Sequence, residues 1–351
     1  MKIAIPRERK ILEGRIALTP NAIAILVQAG HDVVIEKDAG VNSGYQDIEY
    51  HQIGAHIVDD IDTIYQADLV VKVKEPMPEE LALLKPSQLL FCYLHLAAYQ
   101  NILKQLLNKK VTALAFETLT VNQYLPLLAP MSAIAGRIAM QLAIQYLQKN
   151  HQGAGVLLGG EFNKANCGKV MVLGAGVAGS QAALMAAALG AEVFVFDKSM
   201  AALEKLHLKD KHLKVQLYDE SVINQLLPTI DAVIGAVLIK GANAPKVLSI
   251  AQQQLLAKGR VIVDIAIDQG GCIEGIKATD WQQPAYQEKD LTYIAVSNMP
   301  AAVPRTATQL LSEAILPYVL CLANGELATN SILQSAIAVD KGQIVHEALK
   351  N

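Results

Sequence analysis

The segment Lys169–Asp197 constrains the fold of this chain more than any other part of the sequence. An apolar run is followed there by the glycine pattern G-x-G-x-x-G, by an alanine-rich stretch, and by a second apolar run that ends in an aspartate. This order of strand, glycine turn, helix and strand is typical of a βαβ dinucleotide-binding unit. The glycine pattern alone is weak evidence, but all of its expected surroundings are present, so we predict that this segment binds a dinucleotide.

Each glycine of the pattern has a separate physical reason. Gly174 permits the tight turn, Gly176 lets the backbone approach a diphosphate, and Gly179 lets the helix pack closely on the strand. The N-terminus of the helix supplies amide donors for the phosphates. Asp197, at the end of the second strand, can accept hydrogen bonds from ribose hydroxyls and would repel a 2′-phosphate. We therefore expect the cofactor to be NAD and not NADP, although the positive charge of the neighbouring Lys198 weakens this preference.

Short apolar runs alternate with helical patterns along most of the 351 residues. Such alternation favours parallel sheets covered by helices. We predict an α/β protein of two doubly wound parallel-sheet domains. The second is a Rossmann NAD-binding domain, residues 129–306, inserted in a discontinuous substrate domain formed by residues 1–128 and 307–351. The predicted strands are Lys2–Ile5, Asp32–Glu36, Leu69–Lys74, Leu89–Leu94, Thr112–Glu117, Lys169–Leu173, Glu192–Phe196, Val215–Tyr218, Asp231–Val237, Arg260–Ala266 and Thr292–Val296. The clearest predicted helices are Pro20–Ala29, Met131–Leu147 and Ala307–Ala323, the last followed by a short tail.

Composition argues against several classes of function. The formal net charge is −3 and no basic tract is dense, so nucleic-acid binding is not expected. The N-terminus lacks the apolar core of a signal peptide, and the apolar stretches are interrupted before they reach membrane-spanning length. We expect a cytoplasmic protein without a membrane segment. The cysteines, which form no C-x-x-C pair, indicate reduced thiols and neither a disulfide framework nor a metal site; they are Cys92, Cys167, Cys272 and Cys321.

Three polar side chains occur where predicted strands end: Lys74, His95 and Asp268. In open parallel sheets, ligands bind beyond the carboxyl ends of the strands, so these positions are candidates for chemistry. Spacing alone leaves alternatives open. Lys72 could replace Lys74, Asp264 could replace Asp268, and a lone histidine after an apolar run is more often structural.

Other polar positions are equally ambiguous from spacing. Arg15 lies in a polar N-terminal segment, where a solvated arginine is common. Ser132 could cap the helix predicted near it, and Asn298 with Met299 could form a plain turn. The residues by themselves thus predict a dinucleotide-dependent enzyme with polar groups at its strand ends.

Longer motifs narrow this prediction. In chain order they are RIALTP (Arg15–Pro20), KVKEP (Lys72–Pro76), YLHLAA (Tyr93–Ala98), LLAPMSAIAGR (Leu127–Arg137), GAVLIKGANAPK (Gly235–Lys246), VDIAIDQGGC (Val263–Cys272) and VSNMPAAVPRT (Val296–Thr306). With these motifs the chain resembles the alanine dehydrogenase family from Met1 to about Leu322. One departure is Lys240, at a position where proline is common in the family.

The resemblance implies an NAD-dependent oxidation of L-alanine to pyruvate and ammonium, and the reverse reaction, by a homohexamer. It implies that Arg15 and Lys74 bind the substrate carboxylate and the neighbouring oxygen. It implies that His95 is the acid/base and that Asp268 acts on the amine and the hydrolytic water. The cofactor contacts expected from the fingerprint and the resemblance together are Ser132, Gly174, Gly176, Val177, Ala178, Gly179, Asp197, Val237, Leu238, Ile265, Asp268, Asn298 and Met299.

The main alternative is the soluble NAD-binding subunit of a proton-translocating transhydrogenase, which shares this architecture. Chains of that group generally lack the histidine of HLAA and the aspartate of IDQGG. Because His95 and Asp268 are both present here, the resemblance favours the alanine dehydrogenase.

Overall fold

The fold is described by a computed structural model that covers residues 1–160, 168–239 and 243–350. Cys167 and Lys240, which figure in the sequence analysis, lie outside the described residues. The other three cysteines are free thiols. The chain divides into two compact units: the first consists of Met1–Met131 with Ala301–Asn351, and the second of Ser132–Pro300. The sequence had led us to expect the divisions at residues 128/129 and 306/307.

Strands and helices alternate through both units. The strands are β1 (Lys2–Ile5), β2 (Asp32–Glu36), β3 (His56–Val58), β4 (Leu69–Val71), β5 (Leu89–Cys92), β6 (Thr112–Ala115), β7 (Lys169–Leu173), β8 (Glu192–Asp197), β9 (Lys214–Leu217), β10 (Ala232–Gly235), β11 (Val261–Asp264), β12 (Ala285–Glu288), β13 (Leu291–Ile294), β14 (Ile337–Asp340) and β15 (Gln343–Ile344). The α-helices are α1 (Pro20–Gln28), α2 (Asp47–Gln52), α3 (Ile61–Ile64), α4 (Pro78–Leu83), α5 (Gln100–Lys109), α6 (Leu128–Tyr146), α7 (Val177–Ala188), α8 (Met200–His207), α9 (Glu220–Leu226), α10 (Ile250–Gln253), α11 (Pro304–Ala323) and α12 (Ser331–Gln334).

The first unit is built on an eight-stranded sheet with the order β3-β2-β1-β4-β5-β6-β14-β15. The strands from β3 to β6 are parallel, whereas β14 pairs antiparallel with β6 and with β15. Strand order reverses between β1 and β4, which makes this point the switch point of the sheet. In a doubly wound sheet a ligand crevice forms at such a point, beyond the carboxyl ends of the strands.

The second unit contains a seven-stranded sheet with the order β12-β13-β11-β10-β7-β8-β9. All its neighbours are parallel except β12, which forms an antiparallel pair with β13. Here the strand order reverses at β7, whose neighbours are β8 and β10. Both sheets are thus mostly parallel and covered by helices, which confirms the predicted α/β class.

Every predicted strand is present, but four strands were missed: β3, β12, β14 and β15. Three of them are sheet edges, and their residues are half-buried or exposed in part, so they lack the continuous apolar run of a central strand. The expectation of a short tail after α11 was wrong. The chain continues into α12 and the β14–β15 hairpin. This hairpin extends the first sheet, because β14 pairs with β6, a strand that is distant in the sequence.

Helix α11 is long and apolar enough to cross a membrane by length and composition alone. Inside the first unit, however, two of its hydroxyl groups are buried and hydrogen-bonded. Thr308 accepts a hydrogen bond from the Ile16 amide at 3.0 Å, and Ser312 accepts one from the Thr19 amide at 3.0 Å. These contacts are those of a helix packed in a folded core, which accounts for its apolar composition.

We expect Val339→Asp to destabilise the first unit, because Val339 in β14 is fully buried in the apolar core. Burying a carboxylate without a partner should lower the free energy of unfolding by about 3 kcal/mol or more. Val345→Asp is the matched control, since Val345 follows the same hairpin with 40% of its surface exposed. Urea unfolding measures both, and equal midpoints for the two variants would contradict the packing of β14.

Candidate active site

The first unit brings three of the expected residues to one edge of its sheet. Arg15 lies in the loop after β1, Lys74 follows β4, and His95 follows β5, three strands that are neighbours in the sheet. Their positions beyond the carboxyl ends of parallel strands are those where ligands bind in this architecture.

Arg15 is buried, with only 2% of its surface exposed. Its Nε and Nη2 donate to the two carboxylate oxygens of Glu13 at 2.7 and 2.5 Å, and its Nη1 lies 3.2 Å from the Met131 sulfur. Burial works against the guanidinium charge, but the charge and hydrogen bonds of Glu13 outweigh it, and the pKa of Arg15 is raised. The interpretation of Arg15 as a solvated side chain is therefore wrong. Arg15 is a charged group held in place inside the unit.

Lys72 serves the structure of the unit. Its side chain is fully buried, and its Nζ lies 2.9 and 2.7 Å from the two oxygens of Glu80 and 3.7 Å from Glu8. The Tyr65 hydroxyl donates to the same Glu80 at 2.9 Å. A lysine held by this buried network is not the substrate ligand that the sequence left open as an alternative.

Lys74 is held more loosely. Only 4% of it is exposed, and its Nζ lies 3.8 Å from Glu75 Oε2. The other oxygen of Glu75 pairs with Lys10 Nζ at 2.7 Å. Because this distance is longer than a hydrogen bond, the N–H groups of the Lys74 ammonium can donate to a ligand. Lys74 is thus the better candidate of the two lysines.

His95 is half-buried and has a left-handed backbone, with φ +46°. Its amide donates to Glu117 Oε1 at 2.7 Å. The imidazole lies parallel to the Tyr93 ring, with 6.0 Å between centroids and 10° between planes. Tyr93 is itself anchored, because its hydroxyl donates to the Leu127 carbonyl at 2.6 Å. These contacts fix the backbone and the ring of a partly exposed histidine, a geometry suited to an acid/base.

Glu8 is a buried carboxylate that the sequence analysis did not identify. It accepts hydrogen bonds from the amides of Val73 at 2.6 Å and Lys74 at 3.3 Å. Burial raises its pKa from 4.5 to about 7, with the charge of Glu13 adding to the effect and that of Lys72 opposing it.

In the second unit, the glycines of the fingerprint meet the steric demands expected of them. Gly174 has φ +109°, and a Cβ there would lie 2.5 Å from the Ala236 carbonyl oxygen. A Cβ on Gly179 would lie 1.8 Å from the carbonyl oxygen of Gly174. Gly176 caps α7 and has nothing within 4 Å of the space that a Cβ would fill. A crowded turn with one open backbone position at a helix N-terminus fits the diphosphate of a dinucleotide.

Asp197 lies beside this turn. Its Oδ2 accepts a hydrogen bond from the Ala175 amide at 2.6 Å, and its Oδ1 accepts one from the Ser199 amide at 2.8 Å. The side chain is half-buried. The carboxylate therefore borders the glycine loop, with lone pairs left for further donors.

The remaining expected cofactor contacts follow strands of the second sheet or lie on its helices. Val177 and Ala178 open α7, and Val177 is exposed. Ser132 lies four residues inside α6, so it does not cap that helix. The residues that follow β10, β11 and β13 at the same edge of the sheet as Gly174 are Val237, Leu238, Ile265, Asp268, Asn298 and Met299.

The structure separates Asp264 from Asp268. Asp264 is fully buried and accepts hydrogen bonds from the amides of Ala266, Cys272 and Ile273 at 2.9, 2.7 and 2.9 Å. Burial raises its pKa. Asp268 is half-buried and its Oδ2 accepts the Asn298 amide at 3.3 Å. Asp264 therefore holds the loop that follows β11 together, and Asp268 is the candidate for a role in the reaction.

Three further carboxylates near the site were not predicted from the sequence. Glu13 lies beside Arg15, Glu75 beside Lys74 and Glu117 beside His95. All three are less than a tenth exposed. Glu117 ends a predicted strand, so the criterion that selected Lys74 and His95 could have selected it. Nothing in the local sequence marks Glu13 or Glu75 as buried.

Comparison with known proteins covers both units. The family model described as "Alanine dehydrogenase/PNT, N-terminal domain" matches residues 4–135, and the corresponding C-terminal domain matches residues 139–347. An alanine dehydrogenase of Halomonas elongata is 42% identical over 99% of this chain and 96% of that protein. One of Bacillus subtilis is 40% identical over 99% of this chain and 94% of that protein.

Solved structures agree. An L-alanine dehydrogenase superposes with a TM-score of 0.94 at 41% identity, covering 100% of this chain and 98% of that one. A transhydrogenase from Sinorhizobium meliloti gives a TM-score of 0.84 at 23% identity, covering 99% of this chain and 100% of that one. The latter likeness shows a shared fold alone.

The ionisation of Glu8 predicts a pH dependence of stability. Its pKa of about 7 in the folded chain exceeds 4.5, the value of an unperturbed glutamate. Between these values the folded chain binds more protons than the unfolded chain, so the free energy of unfolding should fall with rising pH, by up to about 3 kcal/mol. Glu8→Gln removes this slope. Urea unfolding of both proteins at the two ends of the window tests it, and parallel profiles would contradict the assignment.

Proposed function

The chain belongs to the alanine dehydrogenase/PNT family, and from this we propose that it is an NAD-dependent L-alanine dehydrogenase. It oxidises L-alanine to pyruvate and ammonium and catalyses the reverse reaction. The observation that carries the proposal is the set of buried Arg15 and Lys74 with half-buried His95 at one edge of the first sheet. A carboxylate ligand and an acid/base are what the deamination of an amino acid requires.

Arg15 and Lys74 bind the substrate carboxylate and the neighbouring oxygen. A guanidinium can hold a carboxylate through two parallel hydrogen bonds, which fixes the position of Cα. Burial strengthens this attraction because little water screens it. Glu13 lies 2.5 Å from Arg15 and Glu75 lies 3.8 Å from Lys74, so each buried cation has a carboxylate beside it in the absence of substrate.

His95 and Asp268 handle the protons. When bound, the nicotinamide supplies the hydride acceptor for Cα of alanine, which leaves an imine. His95 then takes a proton from the water that adds to the imine carbon, a step for which imidazole is the commonest base in proteins. Lys74 stabilises the oxygen of the resulting carbinolamine. When the carbinolamine collapses to the ketone, His95 returns its proton to the nitrogen, which also takes up the hydroxyl proton and leaves as ammonium. Asp268 holds the water and the departing ammonium.

The glycine turn and Asp197 support NAD as the specific cofactor. A nicotinamide dinucleotide is implied by the family, and the open backbone at Gly176 accommodates its diphosphate. The Asp197 carboxylate beside the turn accepts hydrogen bonds from a ribose diol and repels a 2′-phosphate.

We further propose a homohexamer, as the family resemblance implies, and a cytoplasmic location, as expected from the N-terminal sequence and the cysteines. Light scattering coupled to size-exclusion chromatography tests the subunit number, and a monomer would contradict it.

The reaction is tested by NADH absorbance when the protein is mixed with NAD and single amino acids at alkaline pH. We expect a signal with L-alanine far above that with L-serine, L-lysine, glycine or no amino acid. Clear NADH binding without a signal from any amino acid would contradict the proposal and favour a transhydrogenase subunit.

We expect His95→Ala to lower turnover of L-alanine by roughly 10²–10⁴-fold, because the acid/base is lost. NADH affinity, measured by fluorescence, should stay near that of the wild type. The matched control is His212→Ala, since the His212 side chain is 94% exposed. Wild-type turnover in the His95 variant would remove His95 from the mechanism.

Asp197→Ala should raise the Michaelis constant for NAD by roughly 10-fold, because hydrogen bonds to the ribose are lost. It should also narrow the preference for NAD over NADP. Asp210→Ala, a change at a residue outside the glycine turn, is the control. Equal use of NADP and NAD by the wild type would show that the role given to Asp197 is wrong.

A further inference from the structure

We propose that Glu117 is a positioning residue for His95: its buried carboxylate holds the backbone conformation from which the imidazole acts. The inference rests on the proposed function, because it matters only if His95 is the acid/base. It assigns to Glu117 a role in the reaction that acts through His95.

The contacts of Glu117 converge on His95 and the residue before it. Glu117 lies just after β6, and β6 is the parallel neighbour of the strand that leads to His95. Its Oε1 accepts the His95 amide at 2.7 Å, and its two oxygens lie 3.3 and 3.2 Å from the Leu94 amide. Two successive backbone amides that point at one anion form an anion-binding nest. Here the nest consists of the Leu94 and His95 amides, and the anion is the Glu117 carboxylate.

The backbone of His95 needs such support. Its φ of +46° is in the left-handed region, which is disfavoured for a residue with a Cβ. The His95 carbonyl also accepts the amides of Ala98 at 2.9 Å and Tyr99 at 3.2 Å, which starts the turn towards α5. The carboxylate on one side and the turn on the other hold His95 in a conformation that it would not adopt by itself.

The imidazole is fixed from a second direction. The Tyr93 ring lies parallel to it, and Phe116, the neighbour of Glu117 in the chain, meets Tyr93 edge-on with centroids 5.0 Å apart. Residues 116 and 117 therefore contact the ring stack and the backbone of His95 respectively. Fixing both restricts the direction in which the imidazole points, which an acid/base requires.

Burial makes the arrangement sensitive to change. Glu117 is 9% exposed, so its charge depends on hydrogen-bond donors in place of water. The two amides that it binds would lose their partner if the carboxylate were removed, and the left-handed backbone would then be free to relax.

A control variant can be chosen from the same sheet. Glu36 is also a buried carboxylate at the end of a parallel strand, 5% exposed, and it accepts the Arg7 amide at 2.9 Å. It pairs with Arg9 at 2.5 Å and lies 4.0 Å from Arg7 Nε, and neither arginine is a proposed site residue. Changing Glu36 thus removes a comparable buried carboxylate without touching the acid/base.

The experiment measures kcat and the Michaelis constants of Glu117→Ala, Glu117→Gln and Glu36→Ala with L-alanine and NAD. We expect Glu117→Ala to lower kcat by roughly 10- to 100-fold with an unchanged Michaelis constant for NAD, because a misplaced acid/base slows the chemical steps. Glu117→Gln keeps one neutral acceptor oxygen, and its kcat should fall by about 3- to 10-fold. Glu36→Ala should lower kcat by no more than about 2-fold, because Glu36 does not contact His95.

Added formate gives a readout that a purely structural role would not produce. Formate can occupy the nest that Glu117→Ala leaves empty, so we expect it to restore part of kcat in that variant. It should not raise kcat in the wild type or in Glu36→Ala. Thermal melting follows the folding of each protein.

Wild-type kcat in Glu117→Gln would overturn the inference even if Glu117→Ala does not fold. It would also be overturned by a loss in Glu117→Ala that equals the loss in Glu36→Ala and does not respond to formate. A wild-type protein without alanine turnover would instead refute the proposed function, and the role of Glu117 with it.

Discussion

Buried carboxylates that accept backbone amides are the interaction on which the candidate site depends. Glu8 holds the amide of Lys74, Glu117 holds that of His95, and Asp264 closes the loop that carries Asp268. Each of these carboxyl groups is less than a tenth exposed, so its oxygens need hydrogen bonds from the protein in place of water. These hydrogen bonds come from the backbone of the loops that carry the proposed reacting groups, and they therefore hold the loops in place.

The parallel sheets explain why these groups meet where they do. In both sheets the strands next to the switch point are parallel, so the loops at their carboxyl ends lie at one edge. In the first unit this edge collects two buried cations, Arg15 and Lys74, together with the carboxylates that lie beside them. In the second it collects the glycine turn and Asp197. Cations suited to a carboxylate substrate and a turn suited to a diphosphate thus arise from the same architectural rule.

Local sequence predicted the parts of the molecule that local physics determines. The strand, glycine turn and helix around Gly174 follow from steric demands within a few residues, and central strands show continuous apolar runs. Three edge strands, β3, β12 and β15, and the difference between Lys72 and Lys74 were not predictable in this way. They depend on pairing with distant segments, as in the contact of Lys72 with both Glu8 and Glu80. Burial of a charged side chain is decided by such partners, and spacing does not reveal them.

Hydride transfer from Cα of L-alanine to a nicotinamide dinucleotide is the step that defines the proposed reaction. It can be followed with L-alanine deuterated at Cα, which is mixed with NAD, and the reduced cofactor is then analysed by mass spectrometry. We expect the reduced cofactor to carry the deuterium and pyruvate to form in equal amount. Reduced cofactor without deuterium, or no reduction by alanine at all, would contradict the proposed reaction.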